Sequence, residues 1–188
     1  ETSLKEGFVV VKGEKLSGNL INFDISSVGA TGNAVMAAVR AEGETVVKNA
    51  AREPEIVALC DFINAMGGQA SGMGTDTLTI RGVKSLQATD FEIIPDRIEA
   101  ATFLIAGAIM GQTVSVRGVI PDHISAVLER LRAAGNDITI STDSVTIKRG
   151  TRIRPVDVTT SVYPGFPTDV QAQWMALMAL ADGNSTIV

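Results

Sequence analysis

The chain repeats itself at an offset of 68 residues, and this limits its fold more than any other feature. Thr45-Val46-Val47-Lys48 opens a segment that continues through Pro54-Glu55-Ile56 and closes at Gly67. Thr113-Val114-Ser115-Val116 opens a second, which continues through Pro121-Asp122-His123-Ile124 and closes at Gly135. The same offset joins Ile56 to Ile124, Leu59 to Val127 and Ile63 to Leu131. Each copy then enters a short alternating stretch, Thr77-Leu78-Thr79-Ile80 or Ser144-Val145-Thr146-Ile147, the pattern of a half-buried strand. One unit therefore reads as strand, helix, strand.

The helix of each copy is carried by apolar residues at three- and four-residue steps. These are Ile56, Leu59, Cys60, Ile63 and Met66 in one, and Ile124, Val127, Leu128, Leu131 and Ala134 in the other. Each has a proline near its first turn and a glycine after its last. A more apolar helix precedes each repeat, over 31–41 and 99–110, and a third such helix covers 168–181. The second and third align at an offset of 72, from Pro95 to Pro167 and from Gly111 to Gly183. Phe103, Leu104, Ile105 and Ile109, and Trp174, Met175, Leu177 and Met178, leave these helices few polar positions, so they are expected inside. The result is an α/β (α+β) chain with two complete copies and the opening of a third. That third copy stops at Thr186-Ile187-Val188 within a predicted strand, as expected of a piece of a longer polypeptide whose remainder covers the open edge.

Composition narrows the partners. A net charge of −5 with no Lys/Arg cluster argues against nucleic acid or an anionic membrane surface. An anionic ligand must then be held by backbone N–H groups and single cations. Cys60 is the one cysteine, which excludes an internal disulfide and a CxxC metal site and fits a reducing compartment. It lies on the apolar stripe of its helix and reads as a buried, inert thiol. His123 has no second histidine or cysteine partner for a metal and reads as a surface residue. No metal or cofactor is expected. No apolar run reaches the roughly 18–20 residues of a membrane span, and the cytoplasm is the expected location.

Four strings add a resemblance. Ser27-Val28-Gly29-Ala30-Thr31, Asn49-Ala50-Ala51-Arg52-Glu53-Pro54-Glu55, Pro95-Asp96-Arg97-Ile98-Glu99 and Phe166-Pro167-Thr168-Asp169-Val170-Gln171-Ala172-Gln173 occur in order along the chain. With the βαβαββ repeat they resemble the enolpyruvyl transferase family, whose two lobes are each built from three such units. The strings look like the member that acts on UDP-N-acetylglucosamine and unlike its cousin that acts on shikimate 3-phosphate. The resemblance implies transfer of the enolpyruvyl group of phosphoenolpyruvate to the 3-hydroxyl of UDP-N-acetylglucosamine, the first committed step toward the peptidoglycan precursor. It also implies a lobe boundary near Ile94-Pro95, with 1–94 in the nucleotide-sugar lobe and 95–188 in a second, incomplete lobe.

On that resemblance Asp169 is the catalytic candidate, a carboxylate able to orient the acceptor hydroxyl and take its proton. From composition alone it would be an acid favouring a helix start, with Thr168 as N-cap. Ile25, Ser26, Ser27, Val28 and Gly29, read alone as a serine-capped turn, become contacts to the nucleotide sugar; Ile25 stands where relatives often carry lysine. Asp169 and this turn are expected to grip one sugar nucleotide. Arg52, Glu53, Asp96, Arg97 and Glu99 suit ion pairs or helix starts, and are weaker candidates for the cleft. The family's lysine–asparagine pair, reactive-cysteine loop and phosphoenolpyruvate-clamping arginines have no counterparts here, so the isolated chain is expected to be inactive. A non-catalytic nucleotide-sugar-binding or structural role, and the shikimate cousin, are the alternatives.

Overall fold

A computed structural model describes residues 2–13 and 15–188, which divide into two compact units, Glu1–Glu92 and Ile93–Val188. The fold is mixed α/β, with five α-helices among the described residues.

The first unit opens with a hairpin, β1 (Thr2–Lys5) and β2 (Phe8–Val11). Its two-residue turn puts Glu6 at φ 50° and Gly7 at φ 83°, the double positive φ that matches the twist of paired strands. Then follow β3 (Leu20–Asn22), α1 (Val28–Ala38), β4 (Glu44–Lys48), α2 (Pro54–Ala65), β5 (Gln69–Ser71) and β6 (Thr77–Arg81). The sheet order is β3-β4-β6-β5, with β3 parallel to β4 and the other pairs antiparallel. Alternation buries Thr45 and Val47 of β4 and Leu78 and Ile80 of β6. α1 and α2 close the core over them with Val35, Ile56, Cys60 and Ile63.

The second unit repeats the pattern as α3 (Arg97–Met110), β7 (Thr113–Arg117), α4 (Ser125–Ala133), β8 (Asp137–Ile140) and β9 (Ser144–Lys148), followed by α5 (Gln171–Met178). Its sheet, β7-β9-β8, reproduces the antiparallel order β4-β6-β5. The registers also match: the core-facing pair Val47–Leu78 of the first copy has its counterpart in Val116–Val145 of the second. Both repeat helices end in the same way. Gly67 (φ 90°) and Gly135 (φ 95°) donate to Asn64 O and Arg132 O, and the next residues, Gly68 and Asn136, donate to Ile63 O and Leu131 O. This is the Schellman closure that a left-handed residue makes easy. The predicted third-copy strand begins as a parallel bridge between Val158 and Ile187, the same sense as β3 beside β4.

Several expectations are corrected. α1 starts at Val28, three residues before the expected Thr31, because Ser27 caps it. The helix expected from Pro121 starts as a 3-10 turn, Pro121–Ile124, before α4. The apolar helices are buried on one face only. Leu104, Ile105, Trp174, Leu177 and Met178 enter the core, but Phe103 and Met175 are 54% and 53% exposed, since α3 is covered on one side by the sheet and α5, and α5 by α3. His123, expected on the surface, is half-buried, because its 3-10 turn packs against α3.

Candidate functional site

In the first unit the candidate residues lie at the start of α1. Ser27 has extended φ/ψ and its Oγ accepts from the Ala30 N–H at 3.3 Å, while its carbonyl accepts from Thr31 N–H at 2.9 Å. Val28 and Gly29 therefore lie in the helix's first turn and not ahead of it. Their N–H groups have no acceptor among the described residues. Two outward donors at the positive end of a helix dipole suit an anionic group. Ser27, Val28 and Gly29 are exposed, Ser26 is half-buried and Ile25 is 78% exposed.

A residue that the sequence did not single out holds this turn. Thr31 is fully buried, and its Oγ1 accepts from the buried Ala51 N–H at 2.9 Å. The bond ties the first turn of α1 to the Asn49–Glu53 string. Asn49 is left-handed (φ 53°), and its Nδ2 donates to Phe23 O at 2.9 Å, just before α1. A threonine in an otherwise apolar buried face was the available signal. Within the same string Arg52 is exposed, whereas Glu53 is buried with 7% exposure at the head of α2. Cys60 is fully buried, and its thiol is pushed up to about 11 by burial and then by the neighbouring Asp61 charge. It is therefore a protonated, inert thiol at neutral pH, as expected of its stripe.

In the second unit the candidate Asp169 lies in the turn ahead of α5. Thr168–Val170 forms a 3-10 turn that runs directly into the helix, and no side chain caps it. Thr168 is thus not the N-cap the sequence suggested; Pro167 holds that position and has no side chain able to accept. Asp169 is exposed and has no hydrogen-bond or ion-pair partner among the described residues. The turn beneath it is fixed firmly. Val170 is fully buried, and Phe166 meets the buried Trp174 edge-on at 5.5 Å between ring centroids.

α3 supports this turn from beside it. Asp96 caps α3, its Oδ1 accepting from Ile98 N–H at 2.8 Å and Glu99 N–H at 3.2 Å, so this candidate carboxylate serves the helix start. The Arg97 guanidinium stands 5.6 Å from the Tyr163 ring centroid, over the segment leading to Phe166. Arg97, Asp122, His123, Tyr163, Pro164 and Pro167 line a small hollow of about 20 Å³. Glu99 is exposed one turn into the helix. Further along, Thr102 Oγ1 donates to Ile98 O at 2.8 Å and accepts from Gln173 Nε2 at 2.9 Å. The described residues contain no cluster of His, Cys, Asp or Glu able to hold a metal, and no helix long and apolar enough to cross a membrane.

Comparison with known proteins places this geometry. The chain is 53% identical over 188 residues to UDP-N-acetylglucosamine 1-carboxyvinyltransferase of Chlorobaculum parvum, covering 99% of this chain and 44% of that protein. It is 46% identical over 188 residues to UDP-N-acetylglucosamine 1-carboxyvinyltransferase 1 of Caldanaerobacter subterraneus, covering 100% of this chain and 45% of that protein. The chain thus spans less than half the length of these relatives. Among solved structures, the enolpyruvyl transferase NikO from Streptomyces tendae superposes with a TM-score of 0.85 at 23% identity, covering 100% of this chain and 48% of that one. EPSP synthase from Acinetobacter baumannii superposes with a TM-score of 0.64 at 22% identity, covering 100% and 44%. The family described as EPSP synthase (3-phosphoshikimate 1-carboxyvinyltransferase) matches residues 3–188, nearly all of the sequence, and the chain belongs to that family.

Proposed function

We propose that the complete protein transfers the enolpyruvyl group of phosphoenolpyruvate to the 3-hydroxyl of UDP-N-acetylglucosamine, with release of phosphate, in the cytoplasm and toward peptidoglycan precursor synthesis. The observation that carries this reading is the name shared by relatives at about half identity over the whole chain, UDP-N-acetylglucosamine 1-carboxyvinyltransferase. In this reading residues 1–94 belong to the nucleotide-sugar lobe and 95–188 to the second.

The chemistry is an addition followed by an elimination. The 3-hydroxyl oxygen bonds to C2 of phosphoenolpyruvate as its C3 takes up a proton, giving a tetrahedral ketal. Loss of a proton from C3, with departure of phosphate from C2, restores the C2–C3 double bond and leaves the enol ether of the sugar. Asp169 orients the hydroxyl and accepts its proton as the C–O bond forms. General-base assistance of this kind is worth roughly 10²–10⁴-fold in rate. The reading is supported by an exposed carboxylate that no neighbouring side chain engages, on a turn anchored from below. The first turn of α1 supplies the nucleotide contacts, with the Val28 and Gly29 N–H groups and the Ser26 and Ser27 hydroxyls directed to the anionic part of the sugar nucleotide. Ile25 adds no charge there. Arg52, Glu53, Asp96 and Arg97 act mainly by holding these elements.

The test is phosphate release by the complete protein with phosphoenolpyruvate and either UDP-N-acetylglucosamine or shikimate 3-phosphate. Release with the sugar nucleotide alone is expected. Release only with shikimate 3-phosphate would overturn the reading. The 188-residue chain by itself is expected to show no measurable transfer.

A further inference from the structure

We propose that Gln173 and Thr102 are positioning residues for Asp169, forming a hydrogen-bonded strut that sets the Asp169 turn against α3. The inference rests on the general-base reading of Asp169 given above.

The argument starts from connectivity. Asp169 lies in a three-residue 3-10 turn that carries no side-chain cap, so within the turn only backbone hydrogen bonds, such as Val170 N–H to Pro167 O at 3.1 Å, set the pitch at which it enters α5. Four residues on, one helical turn away, Gln173 reaches across to α3, and its Nε2 donates to Thr102 Oγ1 at 2.9 Å. Thr102 is itself oriented: its hydroxyl proton goes to Ile98 O at 2.8 Å, which leaves a lone pair facing Gln173. The direction of both bonds is thereby set, with the amide N–H as donor and the threonine oxygen as acceptor.

The energetics point the same way. Gln173 Oε1 is buried with no partner among the described residues. A buried carbonyl without a donor keeps its full desolvation cost, and leucine or methionine would fill the gap between α3 and α5 without it. An amide at this position is thus a poor choice for packing alone. It is a good choice for fixing direction, because a hydrogen bond constrains angle and distance where apolar contact constrains only volume. The turn is then held at three points. Val170 sits in the core, Arg97 lies over Tyr163 on the entering segment, and Thr102 meets Gln173 on the leaving one. Arg97 and Thr102 both belong to α3, so one helix sets both sides of the carboxylate.

The test uses the complete protein with the variants Asp169→Asn, Thr102→Val, Thr102→Ser and Gln173→Met, singly and with Thr102→Val combined with Asp169→Asn. A misplacement of about 1 Å at a reacting group can cost on the order of 100-fold, so T102V and Q173M are expected to lower kcat by roughly 10- to 100-fold with KM little changed. T102S keeps the acceptor oxygen and restores the rate. T102V has no further effect in the D169N background, because the strut acts only through that carboxylate. Q173M is expected to be at least as stable as the parent to urea while turning over more slowly, the opposite of a merely structural role. D169N at the parent rate would overturn the reading of Asp169 itself. D169N slow, with T102V and Q173M at the parent rate, or with T102V and D169N losses multiplying in full, would overturn the strut alone.

Discussion

Replacing Thr31 by valine removes one hydrogen bond and changes little else, since the shape and β-branching are kept. Thr31 and Ala51 are both fully buried, and the Ala51 N–H donates to Thr31 Oγ1 at 2.9 Å. With valine that N–H has neither protein acceptor nor water, at a cost of about 1–3 kcal/mol. The added methyl returns roughly 0.8 kcal/mol of apolar burial, leaving a net loss of about 0–2 kcal/mol. Thr31→Ser makes the opposite trade, keeping the acceptor and losing a buried methyl for about 1 kcal/mol. Urea midpoints alone would therefore separate the two poorly. Amide hydrogen exchange separates them well, because only T31V opens the Ala51 amide locally. Exchange at Ala51 is expected to quicken in T31V beyond the change at Leu78 and Ile80, and to follow them in T31S. Equal exchange at Ala51 in both variants would refute the reasoning.

Two further predictions follow from the first unit. Cys60 is expected to resist iodoacetamide at pH 7 in the folded chain and to react only on unfolding. Its thiol is raised from 9.0 to about 11, so the folded state keeps a proton that the unfolded chain releases. Stability is full below pH 9 and falls as pH rises toward 11, by on the order of 2 kcal/mol, and urea midpoints across that range check it. Gly82→Ala is expected to be severely destabilising, because its Cβ would collide with the Ala41 carbonyl oxygen, whereas Gly29→Ala meets no heavy atom within 4 Å. G29A is expected to be neutral or stabilising by up to about 1 kcal/mol, as measured by thermal unfolding.

Much of the architecture was legible because it is written twice. The offset from Ile56 to Ile124 and from Gly67 to Gly135 placed helix ends that share one hydrogen-bond closure. The strand order within each sheet came from the structure. What escaped was whatever depends on contacts distant in sequence or on a single local bond. Ser27 moved the start of α1 by accepting one N–H, and no periodicity encodes that. Phe103 and Met175 have core chemistry but lie on faces that no element covers within the unit. Thr31–Ala51 and Thr102–Gln173 are 20 and 71 residues apart, and neither pair has a sequence signature. The candidate residues at the starts of α1 and α5 were found through their strings; the residues that hold them in place came from the fold.

The edge-on packing of Phe166 against Trp174 gives this protein an optical probe that needs no label. Trp174 is the only tryptophan in the sequence, fully buried, with its Nε1–H toward Val156 O at 3.4 Å. Its emission therefore comes from a dry site directly beneath the stretch that presents Asp169. Any event that loosens or tightens that stretch should shift the wavelength or intensity of one indole, so occupancy near the carboxylate can be titrated by fluorescence in the unmodified protein.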